Sequence, residues 1–62
     1  MDLIRGYRYT SRVYIKSGDL HELKKIAKSE NRQLRRQHRI ERLRVYPIPG
    51  TMPNWGQLVI LY

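Results

Sequence analysis

A chain of 62 residues has room for one domain, and a domain that small hides only about 60% of the surface of its unfolded chain, leaving little material for a deep pocket beside a core. The absence of cysteine excludes disulfide staples and thiolate metal sites, and a count of only two histidines, His21 and His38, argues against a zinc site, so no metal and no cofactor is expected. Thirteen Lys and Arg against five Asp and Glu give a net charge of +8, more than solubility requires, and this surplus points to a polyanionic partner, nucleic acid first.

Residues 1–5 lack the apolar run of a signal peptide. The longest apolar run, 58–62, falls far short of the ~20 residues that span a bilayer. The expectation is a soluble cytoplasmic protein that does not use a membrane.

The segment 5–16 alternates. Tyr7, Tyr9, Ser11, Val13 and Ile15 share one parity; Arg8, Thr10, Arg12, Tyr14 and Lys16 share the other. Period two with β-branched and aromatic residues predicts a half-buried strand with its odd side toward the core. Ser17, Gly18 and Asp19 then break the strand. Asp19 with Glu22 three residues on has the spacing of a capping box and predicts a helix over 20–37. At about 100° per residue, Leu20, Leu23, Ile26, Ala27 and Leu34 form an apolar arc. Lys24, Lys25, Lys28, Arg32, Arg35 and Arg36 form the roughly opposite arc, with His21 among them and no acid between. Glu30 falls inside the apolar arc, for which the periodicity offers no reason.

Alternation returns at 42–47, with Leu43 and Val45 on one side and Arg42, Arg44 and Tyr46 on the other. Ile40 has the opposite parity, which predicts a junction or bulge before Leu43. Residues 47–56 hold all three prolines and two glycines and read as a loop. The run 57–62 is almost continuously apolar and reads as a strand buried on both faces.

The order is β-α-β-β. A crossover helix makes the first two strands parallel, and the third returns antiparallel. The most apolar strand takes the centre, where neighbours cover both its edges. The expected fold is therefore an α+β two-layer domain, a three-stranded sheet in order 1-3-2 with one helix on one face.

Two basic surfaces follow. One is the outward helix stripe: Lys24, Lys25, Lys28, Arg32, Arg35 and Arg36. The other is the sheet face away from the helix, where Arg8, Arg12, Tyr14 and Lys16 on the first strand and Arg42, Arg44 and Tyr46 on the second flank an apolar centre. Aromatic rings on an open sheet can stack bases while arginines meet phosphates. The paired aromatic signature of RNA-recognition sheets is absent. The same face could instead bury itself in a homodimer. Tyr7 and Tyr9 are expected in the core, and Trp55 is expected either to plug its end or to stack on a base.

No nucleophile–base pair, paired carboxylates or phosphate-cradling glycine loop is present. The one enzymatic alternative is a metal-free ribonuclease using His38, Arg39 and Tyr62. The sequence thus predicts a non-catalytic nucleic-acid-binding protein, dominated by phosphate contacts and weakly selective. The alternative is a small regulator or inhibitor that docks on an acidic protein partner, with a homodimer as one form it could take. The expected ranking places the sheet face first: Arg12→Glu with Arg44→Glu should weaken binding more than Lys28→Glu with Arg32→Glu.

Overall fold

A helix this polar is held less by propensity than by its ends and its one apolar stripe. In the computed structural model, which describes residues 3–50 and 52–62, α1 spans Leu20–Arg36. Met1, Asp2 and the loop residue Thr51 lie outside the described residues. Asp19 caps α1, its Oδ1 accepting from the His21 and Glu22 amides at 2.9 and 3.3 Å. The Asn54 carbonyl accepts from Leu20 N at 2.7 Å, so the segment just before the last strand satisfies one more first-turn donor.

At the other end, Arg39 N donates to Leu34 O at 2.9 Å and His38 N to Arg35 O at 3.1 Å. These are the two bonds of a Schellman motif. His38 sits at the left-handed position, with φ 56°, that glycine usually occupies.

The strands are β1 (Arg12–Asp19), β2 (Arg42–Pro47) and β3 (Trp55–Leu61). The sheet has the order β1-β3-β2, with β3 antiparallel to both neighbours, so β1 and β2 are parallel to each other. This is the expected α+β arrangement. The apolar β3 is central and buried on both faces, with Leu58 1% and Val59 2% exposed. Leu23, Ala27, Leu43 and Leu58 form the core, with Ile26, Leu34, Val45 and Ile60 packed against it.

The first strand differs from its expected 5–16 limits. It starts late because pairing with β3 extends only as far as Ser11 opposite Tyr62. Residues before it turn away at Arg5–Gly6, where Gly6 has φ +82° and Tyr7 N donates to Ile4 O. Tyr7 and Tyr9, expected on the buried side of a strand, instead pack edge to face on each other ahead of β1, with ring centroids 4.8 Å apart. The strand also runs further than expected, because Gly18 lies opposite Gly56 and Asp19 opposite Trp55. Pro47, Trp55 and Gly56 likewise belong to strands, not to the loop. Glycine is required at 56, where a Cβ would lie 2.7 Å from the Tyr46 carbonyl oxygen and would strike Leu20.

A bulge between Tyr14 and Lys16 breaks the odd–even pattern of β1. Val13 stays opposite Ile60, on the helix side, but Ile15 becomes the extra residue and both remain about half exposed. The helix leaves them uncovered because it lies mainly over β2 and β3.

Asn31 explains that offset. It takes the place in the sheet-facing stripe between Ala27 and Leu34, while Glu30 turns to solvent. Only 5% exposed, its side-chain amide donates to Leu43 O at 3.0 Å and accepts from Leu43 N at 2.7 Å. A polar side chain in the core thus satisfies both outward backbone groups of an edge-strand residue.

Candidate nucleic-acid interface

Cross-strand register assigns every residue to a face. Leu58 and Ile60 face α1, so Val59 and Leu61 face away. Opposite Leu61 stand Arg12 and Arg42, opposite Val59 Tyr14 and Arg44, and opposite Gln57 Ser17 and Tyr46. Five of the seven residues expected on the open sheet face therefore share it: Arg12, Tyr14, Arg42, Arg44 and Tyr46. Two do not. Arg8 lies in the irregular segment before β1. Lys16 follows the bulge and pairs with Leu58, which puts it on the helix side of the β1 edge.

The open face is engaged with itself. The Arg12 and Arg44 guanidiniums lie 5.4 and 5.3 Å from the centre of the Tyr46 ring. Because β3 separates β1 from β2, Arg12 reaches Tyr46 by crossing the central strand, which helps bury Val59. Arg42 is 4% exposed and its Nη1 donates to the Arg39 and Glu41 carbonyls, both at 2.6 Å. Tyr14 Oη and Ser17 Oγ share a hydrogen bond of 2.8 Å. The Nε atoms of Arg42 and Arg44 are buried without a hydrogen-bond partner, an unmet donor that typically costs about 1–3 kcal/mol.

The helix stripe is different. Lys24, Lys25, Lys28, Arg32, Arg35 and Arg36 are all exposed. Four of them, Lys24, Lys28, Arg32 and Arg35, line a groove of about 390 Å³ between α1 and the edge of β2. Arg44 lines its other side, and Ala27, Asn31, Leu43 and Val45 complete it. Among the described residues the lining contains five cations and no carboxylate. Arg44 thus belongs to both surfaces, and the two basic regions read separately from the sequence meet at the β2 edge. Lys25 and Arg36 lie further round the helix.

The described acids lie elsewhere, Glu30 among them exposed on α1. Asp19 caps the helix and Glu22 occupies its first turn. Glu41 binds Arg39 through two hydrogen bonds of 3.0 and 3.1 Å. The Arg39 hydrogen bond is the main cause that holds the Glu41 carboxyl below the ordinary carboxylate value, and the same pairing raises Arg39.

The residues named for a ribonuclease have structural roles: His38 ends the helix, Arg39 pairs with Glu41, and the Tyr62 backbone pairs with Ser11. Among the described residues no group of three or more His, Asp or Glu is placed to hold a metal, and no helix is long and apolar enough to cross a membrane. Comparison with protein-family models, with curated proteins and with solved structures finds no match.

Sequence reasoning missed two features of this site, the groove and Asn31. The groove depends on where the helix lies across the sheet, which helical periodicity does not report. Asn31 left a readable sign: an amide three residues before Leu34 and four after Ala27 lies in the middle of a core stripe.

Proposed function

We propose that the protein is a non-catalytic nucleic-acid-binding protein whose main contact surface is the α1–β2 groove and the helix stripe beside it. One observation carries the reading: five cationic side chains from two elements converge on one groove, with no acid among the described residues of its lining. Such a surface concentrates positive potential, and phosphate is the anion that Arg forks and Lys ammoniums meet most readily. The unpartnered buried Nε atoms of Arg42 and Arg44 on the adjoining sheet face add support, since an anion near Arg44 would ease a region rich in arginine. Binding of this kind is dominated by phosphate contacts and weakly selective for sequence.

This changes the expected ranking of surfaces. Arg12 and Arg44 are stacked on Tyr46 and Arg42 is buried, whereas the helix cations project into solvent. Lys28→Glu with Arg32→Glu should weaken binding of a labelled oligonucleotide at least ~10-fold, as expected when two phosphate contacts become repulsive. Arg12→Glu should weaken it less. Equal or greater loss from Arg12→Glu would move the site to the sheet.

A second reading, self-association or docking on an acidic partner, is favoured by one observation. Val13, Tyr14 and Ile15 lie about half exposed in succession on an edge strand. The bulge at Ile15 and the charges of Arg12 and Lys16 are features by which edge strands resist pairing, so this reading ranks second. A solution mass of two chains by light scattering would raise it.

A further inference from the structure

We infer that the α1–β2 groove receives an unpaired base, so that the protein prefers single-stranded nucleic acid to duplex; the inference rests on the function proposed above. The groove has two chemistries. Its rim is cationic, with Lys24, Lys28 and Arg32 on the helix and Arg44 on the strand, while Leu43 and Val45 give it an apolar floor. Phosphates alone would satisfy the rim and leave the floor wet. A duplex turns its bases inward and presents phosphate and sugar to a protein surface, so it brings nothing apolar to a recessed floor. A single strand can turn a base out of its stack and bury it, with the flanking phosphates on the rim. Lys24, Lys28 and Arg32 follow one another at intervals of four residues, about 6 Å along the helix axis, a row that runs beside the groove as a strand backbone would.

The backbone of β2 supplies the polar complement. In an antiparallel pair, alternate residues turn their N–H and C=O groups toward the partner strand or away from it. Leu43 turns away from β3, because Asn31 takes both its backbone groups. Val45, two residues on, has the same parity and turns its N–H and C=O outward at the groove. The floor therefore offers one donor beside one acceptor on an apolar base. Every nucleobase carries a neighbouring acceptor and donor on its pairing edge, so this pair suits a base without choosing among the four.

The test compares three ligands of equal length by fluorescence anisotropy: a mixed-sequence single-stranded DNA, its duplex, and an abasic strand with the same number of phosphates. The single strand should bind about tenfold or more tightly than the abasic strand, and more tightly than the duplex. Cross-links from a 4-thiothymidine placed mid-strand should map to the peptide carrying Leu43 and Val45. Equal binding of abasic and normal strands, or duplex binding as tight as single strand, would overturn the inference while leaving phosphate binding intact. Cross-links confined to β1 and β3 would also overturn it. Failure of all three ligands to bind would overturn the function on which it rests.

Discussion

His38 ends the helix in a conformation that suits glycine better. With φ 56° at the Schellman position, its Cβ crowds the backbone, a cost of about 1–2 kcal/mol for residues other than glycine. Glycine removes that cost but loses more freedom on folding. We expect His38→Gly to stabilise the domain by a net ~0.5–1 kcal/mol, read as a higher urea midpoint with an unchanged slope. A lower midpoint would mean that the imidazole makes a contact worth more than the backbone strain. Beside it, the Arg39–Glu41 pair joins an exposed guanidinium to a half-buried carboxylate near the surface and contributes little to stability. The sign is still determined. A carboxyl whose pKa is lowered by folding adds stability that is present above its unfolded value and lost as pH falls through the folded one.

Among the elements, the join between α1 and β2 decides where the basic side chains go. Asn31 holds it, its amide bonding both outward backbone groups of Leu43. Asn31→Leu would place an apolar side chain of similar size in the core, yet it should cost about 1–3 kcal/mol, because it leaves a buried N–H and C=O unmet. Thermal unfolding would show this as a lowered midpoint; an unchanged midpoint would mean that the edge of β2 finds water instead. The elements themselves were legible because each carries a strong local signal: the Asp19 cap, the uninterrupted helical stripe, the alternation of Leu43 and Val45, and the apolar run of β3. The order 1-3-2 followed from the greater burial that β3 demands. The course of β1 was not legible. Whether residues 5–11 pair depends on how far the partner strand reaches, and the bulge at Ile15 is a register choice made across two strands. That one-residue shift is also why Lys16 leaves the face on which Arg12 and Tyr14 remain. The helix stripe was readable as six cations without acid, but its function as one wall of a groove required the helix to sit off-centre, toward β2.

At the scale of the whole molecule, a net charge of +8 on a body measuring 35 × 22 × 17 Å is distributed unevenly. Cations from α1 line the groove and Arg44 joins it to the sheet face, while of the four described acids Asp19 caps the helix, Glu22 occupies its first turn, Glu30 is exposed on α1 and Glu41 pairs with Arg39. Under the proposed function, that distribution would attract a polyanion at long range, with an affinity set by counterion release. The most direct test is the slope of log affinity against log salt for a single-stranded oligonucleotide, measured for the native chain and for Lys28→Gln with Arg32→Gln. The native slope should be steep, and the double substitution should flatten it by about 1.4, or about 0.7 for each phosphate contact removed. A native slope near zero, or one that the double substitution leaves unchanged, would contradict the account.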